Sequence, residues 1–246
     1  MFFTGCLPIK YPCWDLFLAL PPDRMNSAPT DSFRHQGLRR QLVDEVRKKG
    51  IRDESVLAAL GRVPRHVFLD NAFTELAYTD QAMPIGSGQT ISQPYTVAFQ
   101  TQLLGVGERM KVLEVGTGSG YQACVLEEMG ARVFTIERHR SLFHATRDRL
   151  QQMGRKIKVF FGDGSLGLPA YAPFDRILVT AGAPSVPHAL LQQLKIGGWL
   201  VIPVGDAETQ RMMRIVRVSE AEVESESFEN FRFVPLLGQE GWKDAR

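Results

Sequence analysis

An α/β fold built on a doubly wound, mostly parallel sheet is predicted by three features of the 246-residue chain. Five short apolar runs rich in β-branched residues, KVLEVG, ARVFTIE, IKVFFGD, FDRILVTAG and GWLVIPVG, follow one another after Met110. Between them stand helical stretches such as QACVLEEMG, SLFHATRDRLQQMG and VPHALLQQLKIGG. Runs that are apolar on both faces and alternate with helices need a sheet covered on two sides, which right-handed crossovers provide. The third feature is the tail, where RMMRIVRV and ENFRFVPLLG are strand-like with no helix of comparable length between them, so an antiparallel hairpin is expected at one edge.

Ahead of the sheet the chain reads as helical. Leu38, Leu42 and Val46 recur every four residues among charged neighbours, an amphipathic pattern that Gly50 closes. Asp53 is placed to cap a second helix running through Val56, Leu57 and Leu60. VPRHVFLDNAF has no clean period and reads as a packed loop or short helix. The stretch GQTISQPYTVAFQTQLL, Gly88 to Leu104, neither alternates like a strand nor opens like an ordinary helix. Pro94 and Tyr95 fit a first helical turn, which makes Ser92 a candidate N-cap as well as a candidate functional residue.

The expected organisation is a single domain over residues 31–246, with a helical part at 31–105 and a sheet core at 106–246. Residues 1–30 are expected to be a poorly ordered N-terminal extension. Their apolar opening is interrupted by Lys10, Pro12 and Asp15, lacks a basic start and a cleavage pattern, and is too short and broken to span a membrane. The composition, 44% hydrophobic and 23% charged, is that of an ordinary globular chain with one sizeable core. A formal net charge of +2 excludes a field strong enough to hold nucleic acid or a membrane surface by charge alone. Cys6, Cys13 and Cys124 are an odd count with no zinc-type spacing, so a cytoplasmic location and no metal are expected.

The chemistry is concentrated at the strand ends. In VLEVGTGSGYQAC a buried strand ends at Glu114-Val115, and Gly116, Gly118 and Gly120 follow before a helix near Tyr121. Glycines there let a nucleotide-like ligand approach bare main chain. A dinucleotide turn, G-x-G-x-x-G, would need glycine where Tyr121 stands. The next strand ends on Glu137, an acid able to accept hydrogen bonds from ribose hydroxyls. His66 and His188 are each alone in apolar context and read as packing residues.

The acid-plus-glycine spacing resembles the first motif of class I S-adenosylmethionine-dependent methyltransferases, whose sheet is Rossmann-like. That resemblance implies a cofactor site of Glu114, Gly116, Thr117, Gly118, Ser119, Gly120, Glu137 and Arg138, with Asp163 and Gly164 of the FGDG turn at the adenine edge. A narrower resemblance comes from QTISQPYTVAFQTQLL together with VPRHVFL, AYTDQAMPIG, the FDRILVTAGAPSVPHALLQQLKIGGWLVIPVG block and FRFVPLLG. In this order and spacing they are similar to the protein-L-isoaspartate (D-aspartate) O-methyltransferases, over about Leu38 to Gly238.

This resemblance implies methyl transfer from S-adenosyl-L-methionine to the free α-carboxylate of isoaspartyl residues in damaged proteins and peptides, giving S-adenosyl-L-homocysteine and an ester that closes to a succinimide. It implies Ser92 as the active-site residue, within a Thr90 to Pro94 lid. Thr90 and Ile91 would lie on the cofactor side, and Ser92, Gln93 and Pro94 on the substrate side with Val234, Pro235 and Leu236. A carboxylate is already ionised at neutral pH, so no general base is needed, and Ser92 is expected to position it by a hydrogen bond. Tyr95, Thr96 and Val97 stand where some relatives carry histidines.

A monomer that binds neither nucleic acid nor membrane is expected. The alternative is a methyltransferase of the same fold acting on a small-molecule acceptor. A nucleic-acid enzyme is disfavoured by VTAGAP after the fourth strand, and a dehydrogenase by Tyr121. A non-catalytic binder would need a defective lid.

Overall fold

The computed structural model describes residues 31–243, so the expected N-terminal extension at 1–30 lies outside the described residues. Two amphipathic helices come first. Helix α1 (Phe33–Lys48) is capped by the Ser32 hydroxyl, which accepts the His35 N–H, and it buries Leu42 and Val46 of the apolar stripe. Helix α2 (Glu54–Arg62) is capped as expected by Asp53, whose Oδ1 accepts the N–H groups of Ser55 at 2.9 Å and Val56 at 3.3 Å. VPRHVFLDNAF forms two 3₁₀ turns, Arg65–Phe68 and Asn71–Leu76. A two-stranded antiparallel ribbon, β1 (Met83–Gly86) and β2 (Gln89–Ile91), then leads into α3 (Pro94–Leu104).

The main sheet has the order β5-β4-β3-β6-β7-β8-β9. Its parallel part is β3 (Lys111–Val115), β4 (Arg132–Glu137), β5 (Lys158–Phe161), β6 (Phe174–Val179) and β7 (Leu194–Gly205). The intervening helices are α4 (Tyr121–Glu128), α5 (Arg140–Gln152) and α6 (His188–Gln193). Alternate residues of each strand feed two cores. Val112, Val133, Leu178 and Val201 pack towards α1 to α4, whereas Leu113, Phe134, Ile177 and Leu200 pack on the opposite face with Leu190 of α6. Both faces are therefore covered, as the uninterrupted apolar runs require.

From β3 the chain winds outward through β4 to β5, then returns to the other side of β3 as β6. This reversal leaves a crevice between the carboxyl ends of β3 and β6, the place where open α/β sheets bind ligands.

The antiparallel edge is present, but its second strand is displaced from the expected one. β8 (Gln210–Arg217) pairs with β9 (Val223–Phe231), the sequence VESESFENF, and the FVPLLG run lies beyond it. β9 is the outermost strand and is almost wholly exposed, so its alternation is of charges and small polar groups, which protect an open edge, and no apolar period marks it. Phe233 to Gly238 crosses back to the strand ends. There Gly182 donates its N–H to the Val234 carbonyl, and Leu236 donates to the Gly182 carbonyl, both at 2.8 Å. His188 is also not the packing residue expected, since it begins α6 on the surface. Among the described residues no helix is long and apolar enough to cross a membrane.

Candidate active site

The crevice is a cleft bordered by the ends of β3, β4 and β6, the β1–β2 ribbon and the C-terminal segment. Its floor is the glycine turn after β3. Gly116 has φ 98°, and a Cβ there would meet Thr180 Oγ1 at 2.5 Å, so both the backbone angle and the space require glycine. Gly118 has φ 51° and faces Ile85 of the ribbon. The turn thus presents main chain, with no Cβ, to whatever occupies the cleft. Thr117 and Ser119 line it as well.

Glu137 at the tip of β4 is fixed by backbone donors. Its Oε2 accepts the Gly118 N–H and its Oε1 the His139 N–H, both at 2.8 Å. Each carboxylate oxygen has two lone pairs, so acceptor capacity remains on the cleft side. Arg138 and Gly164 also line the cleft. Gln122 of α4 adds a group that sequence reading missed. Its Nε2 donates to Thr101 Oγ1 at 3.0 Å, while its Oε1 is buried with no hydrogen-bond partner among the described residues. A buried, unpartnered acceptor in a ligand cleft is costly unless a ligand donor satisfies it.

Three expected cofactor residues lie behind the surface of the cleft. Glu114 is fully buried in β3, where Thr135 Oγ1 donates to its Oε2. Burial pushes its carboxyl up to about 8, against the Thr135 hydrogen bond, and the nearby Glu137 charge adds to the rise. Gly120 serves as the N-cap of α4. The Asp163 carboxylate is turned away: Oδ1 accepts the Ser165 N–H at 2.9 Å, and Oδ2 accepts the Gln239 N–H at 2.8 Å. Asp163 therefore ties the end of β5 to the C-terminal segment.

A second cleft adjoins the first, and Thr90, Ser92, Thr180 and Val234 border both. Ile91, Pro235 and Leu236 face only the first; Gln93, Tyr95 and Glu229 face only the second, and Pro94 faces neither, being buried as the first residue of α3.

Ser92 is not the cap of α3. The N-cap is Gln93, which makes no side-chain capping bond. The exposed helix N–H is served instead by Asp80, whose Oδ1 accepts from Tyr95 N at 2.7 Å and whose Oδ2 accepts from Gln93 Nε2 at 2.9 Å. Lys49 Nζ holds the same carboxylate. The Ser92 hydroxyl is left with no hydrogen-bond partner among the described residues and stands where the two clefts meet. Asp80 was quoted in the AYTDQAMPIG block, but its service to a helix fifteen residues on carries no local signal.

Asp31, His35 and His66 form the one grouping of metal-ligating side chains among the described residues, and none of them lines either cleft. The cleft instead combines a glycine turn, a fixed acid and an unsatisfied amide acceptor, which suits a nucleoside bearing a charged amino group.

Comparison with known proteins agrees with this architecture. Residues 37–241 match the family described as protein-L-isoaspartate(D-aspartate) O-methyltransferase. A protein-L-isoaspartate O-methyltransferase of Cytophaga hutchinsonii is 62% identical over 212 residues, covering 86% of this chain and 96% of its own. One from Salinibacter ruber is 49% identical over 226 residues, covering 88% and 98%. A solved protein-L-isoaspartate O-methyltransferase superposes with a TM-score of 0.75 at 26% identity, covering 82% of this chain and 67% of the other. The fold is also shared, with a TM-score of 0.70 at 22% identity, by a candidate member from Plasmodium falciparum in complex with S-adenosyl-L-homocysteine, over 81% of this chain and 98% of that one. With its glycine turn, its ISQP segment and its returning VPLLG segment in the places described, this chain belongs to the protein-L-isoaspartate(D-aspartate) O-methyltransferase family.

Proposed function

We propose that the chain methylates the free α-carboxylate of L-isoaspartyl residues in damaged proteins and peptides, and so begins their repair through a succinimide. The observation that carries this reading is the position of Ser92, an unpartnered hydroxyl at the junction of the glycine-turn cleft and a second, open cleft. When bound, S-adenosyl-L-methionine would supply a sulfonium-borne methyl group to an ionised carboxylate oxygen, the new O–CH3 bond forming as the S–CH3 bond breaks and S-adenosyl-L-homocysteine leaves.

The chain's own residues bind, align and exclude water. Glu137 would accept the ribose hydroxyls, the Gly116 to Ser119 backbone would lie along the cofactor, Gln122 Oε1 would accept from its amino group, and Gly164 would border the adenine edge. Glu114 and Gly120 act from behind, by holding the end of β3 and the start of α4. On the acceptor side, Ser92 donates to one carboxylate oxygen of the isoaspartyl group and so points the other at the methyl. The group is ionised at neutral pH, its unperturbed pKa being about 4, so the site needs no base and gains its rate from alignment and dryness. Ile91, Val97 and Leu236, all buried, border the cleft and keep water from that line. Gln93 and Val234 border the second cleft, the path of the peptide, whereas Pro235 faces only the first. We further propose that the enzyme is a monomer and works in the cytoplasm.

The test is transfer of labelled methyl from S-adenosyl-L-methionine to two synthetic peptides that differ only in carrying isoaspartate or aspartate. Label on the isoaspartyl peptide alone, released by mild base as an ester, is expected. Equal labelling of both peptides, or of neither while the cofactor binds, would refute the substrate assignment.

A further inference from the structure

Three metal-ligating side chains converge at the head of α1, away from both clefts. Asp31 precedes the Ser32 cap, His35 lies in the first helical turn, and His66 comes from the Arg65–Phe68 3₁₀ turn. One ligand atom of each lies within 4.8 Å of the others, and the two imidazole rings face each other at a centroid distance of 3.9 Å. His66 is only 3% exposed. Its Nε2 and the Nδ1 of His35 are both buried without a hydrogen-bond partner among the described residues. Two unpartnered imidazole nitrogens beside a carboxylate are an unstable arrangement by themselves, because each buried nitrogen has given up water for nothing.

We propose that Asp31, His35 and His66 bind a divalent transition-metal ion, zinc being the best match to two imidazoles and one carboxylate with a fourth position left to water.

The surroundings have the features of an outer ligand shell. His66 Nδ1 lies 2.7 Å from Tyr78 Oη, which also accepts from Arg39 Nη1 at 3.0 Å. With the Nδ1 proton donated to that oxygen, the lone pair of the ring is on Nε2, the buried nitrogen without a hydrogen-bond partner among the described residues.

Arg39 orients the carboxylate through two bonds to Asp31, at 3.0 and 2.8 Å. Its guanidinium and the positive end of α1 oppose a cation, and the Asp31 charge offsets them. Zinc ligands sit about 2.0–2.2 Å from the metal, so the three atoms close inward on binding. Asp31, exposed at the helix head, supplies that movement, and with the partly exposed His35 it supplies the entry path. The ion fastens the start of α1 to the 3₁₀ turn and takes no part in methyl transfer.

The test is a calorimetric titration of the full chain, free of any polyhistidine tag and of chelator, with zinc chloride. The unaltered protein is expected to take up one equivalent. Asp31→Asn and His35→Ala are expected to weaken binding at least tenfold, and Tyr78→Phe, which removes the hydroxyl shared by His66 and Arg39, by roughly ten- to a hundredfold. Melting temperature should rise on the order of 5 °C at a hundredfold excess over the dissociation constant in the unaltered protein, and not in Asp31→Asn. Asp31 is exposed, so its variant folds and keeps the outcome readable. No stoichiometric uptake, or an affinity unchanged in Asp31→Asn and His35→Ala, would overturn the proposal.

Discussion

Ser92 is useful because the fold leaves it unemployed. A serine just before a helix would ordinarily cap it, yet Asp80 takes that duty and the Ser92 hydroxyl stays free between the two clefts. Hydrogen bonds to a charged group contribute about 1.5–3 kcal/mol. Ser92→Ala is therefore expected to lower turnover on an isoaspartyl peptide by roughly 10- to 150-fold, and to leave the cofactor dissociation constant within about twofold. Label-transfer kinetics and calorimetry on the same preparation check both halves, and equal losses in rate and affinity would make the serine structural. Glu137 carries the opposite expectation. Glu137→Ala removes the ribose acceptor and also the partner of the Gly118 and His139 N–H groups, so cofactor affinity should fall at least tenfold. An unaltered dissociation constant in a calorimetric titration would take Glu137 out of the cofactor site.

At the scale of elements, the start of α3 decides whether Ser92 is held in place. Its first N–H is anchored by a carboxylate that also grips Gln93 and Lys49, so the turn between β2 and α3 is tied to α1's C-terminal end. Loss of a helix cap costs about 1–2 kcal/mol, which for a chain of this length lowers the melting temperature by roughly 2–8 °C. Asp80→Ala should show that shift, together with a turnover loss larger than any loss of cofactor affinity; a melting shift with unchanged turnover would reduce Asp80 to a stability role.

The difference between Asp80 and the strands shows what sequence can convey. β3 to β7 were legible because burial on both faces leaves unbroken apolar runs, and the cap at Asp53 because it acts within three residues. β9 was not, because an exposed edge strand spells itself in glutamates and serines. FVPLLG has a strand's composition but is held by two hydrogen bonds to Gly182, a contact fixed by tertiary path. The glycines and Glu137 were readable as site residues for the same reason as the strands, namely a short local motif. Gln122 reaches the cleft, and Asp80 the start of α3, only through the tertiary path, which no local pattern announces.

For the whole molecule, the sheet joins two cores, and a carboxyl lies at its centre. Glu114 sits fully buried in β3, the strand at the switch point, with its pKa pushed up to about 8 chiefly by desolvation. The folded state thus holds a proton on Glu114 that the unfolded chain, with an ordinary value near 4.5, has already released at neutral pH. With more protons bound in the folded form, stability must fall as pH rises. The contribution is fully present below about pH 4.5, declines through the interval up to about pH 8, and is constant above it.

Glu114→Gln keeps the shape and a neutral group while removing the titration. Urea unfolding of both proteins at pH 5, 6, 7 and 8 should therefore show the stability difference moving in favour of the variant, by up to about 1.4 kcal/mol per pH unit. The Thr135 hydroxyl can still donate to the amide oxygen, so the variant does not lose that bond. A difference that stays constant across the interval would mean that Glu114 is ionised in the fold, and that the end of β3 bears a negative charge beneath the cofactor.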